Sequence, residues 1–271
     1  MIGDWKQFEG QVFQDKFPLQ RLLGSTSHSA VFLTQSPPPQ PKTIAIKFIS
    51  SSLKADSQTS LLHRASQLRH PHLLRLLPGG HCRLAGVDLV FGVMEYVDQD
   101  LGQVLPNRPL SEREAHEMLG PLVDALSYIH SKGFAHSHIK PSNIMAIGDQ
   151  VKLSSDAVLP LGERRPGYRP LDTYDAPEAG SAPVAPSTDA WSLGVTLVEV
   201  LTQQAPVSSR ASQADPTVAP IVPQPFFDIA QHCLRRDPGM RWTTAQIADC
   251  LNALPRKARR VSPRPSPPKR K

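Results

Sequence analysis

The sequence has few cysteines and few aromatic residues, and it has no long apolar run. The three cysteines, Cys82, Cys233 and Cys250, are far apart in a chain of 271 residues. They fit neither a disulfide framework nor a zinc site, so we expect a reducing compartment. No stretch reaches the roughly 18–20 consecutive apolar residues of a membrane helix, and the first residues lack a basic-then-apolar secretion signal. We therefore expect a cytoplasmic protein.

The net charge of +6 is concentrated at the C-terminal end of the sequence. Residues 256–271 contain 8 Lys or Arg and no acidic residue, whereas the preceding 255 residues carry 22 basic and 24 acidic side chains. A nucleic-acid-binding domain is expected to carry its positive face on the folded body, so this distribution argues against nucleic acid as a partner. The segment is also rich in proline, and we expect a disordered basic tail there.

Strand and helix patterns occupy different parts of the chain. Runs of β-branched residues predict strands within 18–97, interrupted by one helical stretch at about 57–69. From Ser111 onward a Ser-x-x-Glu capping box and apolar residues at helical spacing predict helices. Proline is abundant, with 28 residues, and its clusters at 36–41 and 203–225 are interpreted as connections. These patterns predict an α+β fold with two lobes and with chemistry between them.

A series of short motifs runs from about Phe17 to Leu254. In order, they are LLGSTSHSAVFL, IAIK, HPHLLRLL, VMEYVDQDL, YIHSKGFAHSHIKPSNIM, VKLSSDAV, YDAPE, TDAWSLG and RRDPGMRW. In this order and spacing they resemble the motifs of the protein kinase superfamily, in particular the bacterial eukaryotic-like Ser/Thr kinases. The resemblance implies a bilobal kinase-like fold. Its parts are a lead-in at 1–16, an N-lobe at 17–97, a C-lobe at 98–255 and the tail at 256–271.

The resemblance assigns several residues to a nucleotide site. Lys47 matches the strand lysine that contacts the α- and β-phosphates of ATP. Of the three glycines of the phosphate loop only Gly24 remains, with Thr26 and Ser29 at the other two positions. The hydroxyl groups of this loop are able to bond phosphate, but an ordinary hairpin turn explains it equally well. The other implied nucleotide-binding residues are Val31, Ala45, Met94, Glu95 and Met145, of which the apolar ones are equally expected in the core.

The glutamate that pairs with the strand lysine in active kinases is missing. It belongs on the first helix, nine residues before the His-Pro turn, and counting back from His70 gives Leu61. The only acidic residue between Phe48 and His70 is Asp56, about a turn and a half away. We therefore expect this activating ion pair to be absent.

The catalytic loop reads His136-Ser137-His138 where the family has His-Arg-Asp. His138 thus stands at the position of the general base, and Ser137 replaces the arginine that senses activation-loop phosphorylation. Losing a general base costs about 10²–10⁴-fold in rate, although an imidazole is able to accept a proton near pH 6.5. Lys140 matches the lysine that contacts phosphate, and Asn143 matches the asparagine that binds the metal ion.

The metal-binding segment has two alternative registers. The aspartate of the Asp-Phe-Gly motif falls at Ser155, but Asp156 follows directly and reaches the metal if one residue is bulged. The resemblance therefore implies a weak or absent Mg²⁺ site made by Asn143 and Asp156. Leu171 replaces the threonine that bonds the catalytic aspartate, three residues before Tyr174. A zinc site is a minor alternative that would use His130, His136 and His138.

Four positions match structural residues of the family. Glu178 and Arg241 match a buried ion pair that ties the activation segment to the C-lobe, and such pairs are costly to break. Asp189 matches the residue that holds the backbone of the catalytic loop, and His136 matches a core position. A retained scaffold with altered chemistry predicts a pseudokinase that acts as a signalling or scaffold module with a protein partner.

Two further functions and two roles for the tail stay open. The first function is a weak kinase in which Lys47, Asn143 and Asp156 hold Mg-ATP and His138 is the base. The second is a structural domain that binds no nucleotide. The tail resembles the juxtamembrane linker of bacterial receptor-type kinases, which implies contact with an anionic membrane or an adjacent membrane helix. A solvated terminus is equally expected.

Overall fold

The computed structural model describes residues 4–50, 55–97, 99–148, 150–165, 171–206 and 214–253. The basic tail at 256–271 therefore lies outside the described residues. Strands dominate the described chain up to residue 95, and helices dominate it from residue 101 onward. This division confirms the bilobal α+β architecture predicted from the sequence.

The N-lobe is built on a five-stranded antiparallel sheet. A short hairpin of β1 (Val12–Phe13) and β2 (Phe17–Pro18) comes first. The sheet strands are β3 (Arg21–Ser25), β4 (Ser29–Gln35), β5 (Thr43–Ser50), β6 (Leu76–Leu84) and β7 (Val87–Glu95), and helix α1 (Ala55–Ala65) connects β5 to β6. The strand order is β3-β4-β5-β7-β6, so β5 is central and β3 is an edge strand.

The C-lobe combines helices with two small sheets. Its strands are β8 (Gln99–Asp100), β9 (Phe134–Ala135), β10 (Ile144–Ile147), β11 (Gln150–Leu153) and β12 (Leu159–Pro160). The order β11-β10-β8 forms one sheet, and β9 pairs with β12 in the other. The helices are α2 (Leu101–Val104), α3 (Glu112–Ser131), α4 (Pro186–Thr202), α5 (Phe226–Cys233) and α6 (Thr244–Asn252).

The C-lobe helices follow from local sequence signals. At the start of α3, the backbone N–H of Ser111 donates to the carboxylate of Glu114 at 2.9 Å, and the Glu114 N–H donates to the Ser111 hydroxyl at 3.3 Å. This is the reciprocal capping box predicted from the sequence. Helix α4 is buried on almost every side, as its apolar sequence requires. A Cβ atom at Gly194 would lie 2.8 Å from the Cβ of Cys233, so glycine permits the close approach of α4 and α5.

Beside a small third cluster in the C-lobe, two large hydrophobic clusters stabilise the lobes. The larger one is continuous from Ala45 and Met94 in the N-lobe sheet to Ile247 in α6. The smaller one lies within the N-lobe and includes Phe32 and Phe48. It also contains three aromatic residues of the N-terminal lead-in, namely Trp5, Phe8 and Phe13, which are only 4%, 1% and 3% exposed. The lead-in therefore packs as part of the N-lobe.

The connection between α4 and α5 lies in the proline-rich segment 203–225. The described residues of that segment, 203–206 and 214–225, contain no helix. Within the described parts of the chain, no helix combines the length and apolar character needed to cross a bilayer.

Candidate functional site

An ion pair joins the two lobes at the centre of the cleft. Lys47 lies on the central strand β5, and its ammonium group donates to the carboxylate of Asp156, which follows β11. The two side chains are 25% and 13% exposed. Burial by itself raises the pKa of Asp156, but the charge of Lys47 outweighs burial, so this pKa lies below its ordinary value. Asp156 is therefore ionised at neutral pH.

Ser155 and Asp156 turn in different directions. The Ser155 hydroxyl donates to the backbone oxygen of Leu74 at 2.8 Å, and this serine is buried. The same stretch is tied to the N-lobe by the bond from the Leu74 N–H to the oxygen of Leu153, also at 2.8 Å. Of the two registers that the sequence allows, the one with Asp156 in the cleft is thus the one observed.

Leu61 occupies the position of the missing glutamate on α1. It packs against an apolar cluster of Ala135, Leu159 and Val184, which belongs to the C-lobe. Asp56 lies in the first turn of the same helix. The residue at the position of the ion-pairing glutamate thus makes an apolar contact between α1 and the C-lobe.

The phosphate loop forms a closed turn between β3 and β4. The Thr26 hydroxyl oxygen accepts the backbone N–H groups of His28 and Ser29 at 3.2 and 3.0 Å. The Thr26 N–H donates to the Ser29 carbonyl at 2.8 Å, and the Thr26 carbonyl accepts the indole N–H of Trp5 at 3.1 Å. Phosphate loops bind anions through free backbone N–H groups. In this loop, the N–H groups of His28 and Ser29 bond instead to the side chain of Thr26.

The implied adenine-binding residues are part of the core. Ala45 and Met94 are buried and are paired across β5 and β7. Val31 and Met145 are half-buried and pack against the same cluster. Met145 also lines a C-lobe cavity of about 240 Å³ bounded by α2, α3, β10 and β11. The carboxylate of Glu95 accepts the Lys152 ammonium at 2.6 Å, so its side chain is already engaged.

Gly24 lies within β3 rather than at the tip of the loop. A Cβ atom at this position would meet no other atom within 4 Å. Packing therefore does not require a glycine here.

Asp189 holds the backbone of the catalytic loop. Its buried carboxylate accepts the N–H groups of His136 and Ser137 at 2.8 and 2.6 Å, and it bonds the ring of His130 at 2.8 Å. Ser137 has a φ of 62°, in the left-handed region that non-glycine residues rarely adopt. These bonds provide partners for a charge that would otherwise be costly to bury. They also fix the strained residue that replaces the family's arginine.

His136 is buried and neutral at physiological pH. Burial lowers its pKa to about 4. Its Nε2 lies 3.0 Å from the carbonyl oxygen of Ser154, and its Nδ1 lies 3.3 Å from the N–H of His138. Since a carbonyl only accepts and an N–H only donates, Nε2 carries the proton.

His138 is bonded to an acidic residue that the motifs did not single out. Its Nε2 lies 2.8 Å from a carboxylate oxygen of Asp172, and its side chain is only 9% exposed. Burial raises the pKa of Asp172, but the hydrogen bond and charge of His138 outweigh burial, and the pKa falls to about 2. No family motif covers Asp172, and its only sequence signal is its place next to Leu171. The base position is thus joined to the end of the activation segment.

The same part of the activation segment has a second ionic contact. The carboxylate of Asp175 accepts the Asp172 N–H at 2.9 Å and lies 3.3 Å from the Arg165 guanidinium. His138, Asp172 and Asp175 form the one group with metal-like spacing within the described ranges. Because Arg165 already pairs with Asp175, we assign no metal ion to this group.

The three histidines of the zinc alternative bond to different partners. His130 bonds to Asp189, His136 to Ser154 and His138 to Asp172. Within the described residues they do not form a group with ligand spacing. The zinc alternative is therefore wrong, because each ring is used to fix the backbone or the activation segment.

Asn143 and Lys140 retain positions beside the catalytic loop. The Asn143 side chain donates to the carbonyl oxygen of His138 at 2.8 Å. Lys140 lines a cavity of about 560 Å³ together with Tyr174 and Glu199, whose hydroxyl and carboxylate are 2.7 Å apart. Of the two implied Mg²⁺ ligands, Asn143 is thus bonded to the backbone of the catalytic loop, and Asp156 is paired with Lys47.

Glu178 and Arg241 form a two-pronged ion pair. The two guanidinium nitrogens donate to the two carboxylate oxygens at 2.6 and 2.9 Å. Arg241 is 5% exposed, donates also to the Ser187 carbonyl, and lies over the ring of Trp191 at 5.0 Å. This geometry gives a strong and directional contact. It ties the end of the activation segment to the C-lobe.

Comparisons with known proteins identify the family and the fold. The family model of the protein kinase domain matches residues 17–251. The chain belongs to the protein kinase family. The kinase domain of PknI from Mycobacterium tuberculosis superposes with a TM-score of 0.70 at 23% identity, over 90% of this chain and 98% of that chain. At this identity the likeness shows the fold alone.

Curated kinases from plants and bacteria also match the sequence. CBL-interacting protein kinase 4 from Oryza sativa is 32% identical over 216 residues, which are 73% of this chain and 46% of that protein. Serine/threonine-protein kinase PkaA from Streptomyces coelicolor is 26% identical over 240 residues, 79% of this chain and 43% of that kinase. The chain thus spans less than half the length of these two relatives.

Proposed function

We propose that this kinase domain is a pseudokinase, a binding or scaffold module without effective phosphoryl transfer. The Lys47–Asp156 ion pair is the observation that carries the proposal. In a working site, the lysine contacts phosphate and the aspartate binds Mg²⁺. Here each charge satisfies the other, and Leu61 stands where the family has the glutamate that would hold the lysine ready for phosphate.

The rest of the phosphate site supports the same proposal. ATP fits the apolar part of the cleft, where Ala45 and Met94 are available as walls. It does not fit the phosphate end, because the N–H groups of His28 and Ser29 bond to Thr26 and because Asp156 is paired. We therefore derive no step through ATP or Mg²⁺. The intact Glu178–Arg241 and Asp189 contacts preserve the shape that a protein partner would recognise.

The test combines nucleotide binding with phosphoryl transfer. We expect no change in melting temperature with millimolar ATP, with or without Mg²⁺ or Mn²⁺. A ligand at about 100 times its Kd would add about 2.7 kcal/mol of stability, or several degrees for a domain of this size. We also expect no transfer from radiolabelled ATP above the level of the Lys47→Ala variant. A metal-dependent rise, together with transfer that depends on Lys47, would refute the proposal.

A weak kinase is the second candidate, and the His138–Asp172 contact favours it. A carboxylate bonded to an imidazole orients the ring and stabilises its protonated form, as a general base requires. In that case, transfer would be lost in Lys47→Ala and reduced at least tenfold in His138→Ala and Asp172→Asn. Transfer that survives in His138→Ala would exclude this histidine as the base.

We further propose a cytoplasmic location, a protein partner and no nucleic-acid partner. The basic tail supports contact with an anionic membrane surface, since each Lys or Arg near such a surface contributes about 1 kcal/mol. An adjacent membrane helix is the alternative that the same composition supports.

A further inference from the structure

The N-terminal segment Asp4–Phe13 runs beside the phosphate loop. It begins with a 3₁₀ turn at Trp5–Phe8, capped by the Asp4 side chain, which accepts the Lys6 N–H at 2.8 Å. Trp5 and Phe8 are buried in the N-lobe cluster. Because β3 is an edge strand, its outer N–H groups have no neighbouring strand among the described residues and need other partners. The segment provides one of them.

Two hydrogen bonds connect this segment to β3 and the loop, one on each side of Gly24. A Glu9 carboxylate oxygen accepts the Leu22 N–H at 2.7 Å. The indole N–H of Trp5 donates to the Thr26 carbonyl at 3.1 Å. These bonds fix the peptide groups on both sides of Gly24.

The Trp5 contact acts on the residue that closes the loop. Thr26 uses its hydroxyl to accept the N–H groups of His28 and Ser29, and its carbonyl to accept the indole. The indole bond and the bond from the Thr26 N–H to the Ser29 carbonyl hold the Thr26 backbone, and this backbone sets where the hydroxyl lies relative to the two N–H groups. Because Trp5 is buried, its indole fixes the Thr26 carbonyl, and loss of this bond frees the backbone that carries the hydroxyl.

We propose that segment Asp4–Phe13 is an autoinhibitory clamp that keeps the phosphate loop closed to nucleotide phosphates. This inference rests on the proposed function and adds a means of regulation to the same site. Release of the indole bond opens the turn and exposes the N–H groups of His28 and Ser29. Anything that withdraws Trp5 from the N-lobe would then increase the affinity for nucleotide.

The test uses the full chain with Trp5→Phe, which keeps an aromatic ring beside Phe8 but removes the indole N–H. The matched control is Trp242→Phe, since Trp242 lies in the C-lobe and stacks on His232 at 4.1 Å. The first measurement is amide hydrogen exchange of residues 24–29. The second is the affinity for a fluorescent ADP analogue without metal. Glu9→Ala, which releases the other end of the clamp, replaces Trp5→Phe if the latter does not fold.

In Trp5→Phe we expect about tenfold faster exchange in the loop, as for the loss of one hydrogen bond. We also expect measurable binding of the ADP analogue, which the wild type should bind too weakly to detect. The control should match the wild type in both measurements. Unchanged exchange would overturn the clamp, and so would faster exchange without a gain in affinity. Failure of the proposed function is separate, because it would appear as phosphoryl transfer by the wild-type chain.

Discussion

Lys47 and Asp156 are 109 residues apart in the sequence and form an ion pair across the cleft between the lobes. One lies on the central strand of the N-lobe, and the other follows the β10–β11 hairpin of the C-lobe. The contact therefore stabilises the relative position of the lobes and occupies two groups that the family uses for catalysis.

Breaking this pair should destabilise the protein. Asp156→Asn leaves the partly buried ammonium of Lys47 without its anion, and we expect a loss of about 1–3 kcal/mol in the free energy of unfolding. Urea denaturation at pH 7 measures the loss. The double variant Lys47→Met/Asp156→Asn should recover part of it, because no charge remains unpaired. A single variant as stable as the wild type would contradict this prediction.

The Glu178–Arg241 pair should be more costly to break. Glu178→Gln disrupts a buried, two-pronged pair, so we expect a loss of about 3–5 kcal/mol. Arg113→Ala is the control, since Arg113 forms an exposed pair with Glu117 at 3.2 Å. Such pairs contribute about 0–1 kcal/mol. Equal losses of stability in the two variants would show that burial of the Glu178–Arg241 pair has no effect.

His136 should make stability depend on pH in the acidic range. The pKa of His136 is about 4 in the folded protein against an ordinary value of 6.5. Between these values the unfolded chain binds a proton and the folded protein does not, so stability falls as the pH decreases from 6.5 to 4. The difference amounts to roughly 3 kcal/mol. This component should disappear from the pH profile of urea denaturation in His136→Gln, and parallel profiles would refute the assignment.

The basic tail should control binding to anionic membranes. We expect the full chain to bind vesicles that contain phosphatidylserine, and binding should weaken steeply with salt. Replacement of the 8 Lys and Arg residues of 256–271 by Gln should abolish it. Vesicles of neutral phosphatidylcholine are the control. Equal sedimentation of both chains with anionic vesicles would assign any binding to the folded body.

The motifs predicted the residues of the scaffold better than the contacts of the altered site. Glu178, Arg241 and Asp189 are identified by their motifs, and the structure places them in the contacts that those motifs imply. Each of these contacts uses a largely buried carboxylate, which has few possible partners. Glu178 pairs with the guanidinium of Arg241, and Asp189 accepts backbone N–H groups. In such cases the spacing of the motifs along the chain is sufficient to predict the contact.

The contacts of Asp172, Thr26 and Asp156 were harder to predict. The Asp172–His138 contact joins residues 34 positions apart, one of which has no counterpart in the motifs. The sequence permitted Thr26 to bond phosphate, and only the turn geometry shows that its hydroxyl bonds its own loop. For Asp156, the register depended on which of two adjacent side chains turned into the cleft. These outcomes depend on local backbone geometry, which spacing does not specify.

The burial of Trp5, Phe8 and Phe13 has a practical consequence for defining the domain. The segment that matches the protein kinase domain begins at residue 17, but the N-lobe cluster begins at Trp5. A protein cut at the start of the shared segment would lose three buried aromatic side chains and leave their contact surfaces open to water, where apolar patches promote aggregation. A truncation guided by the matched range alone would therefore divide a hydrophobic core.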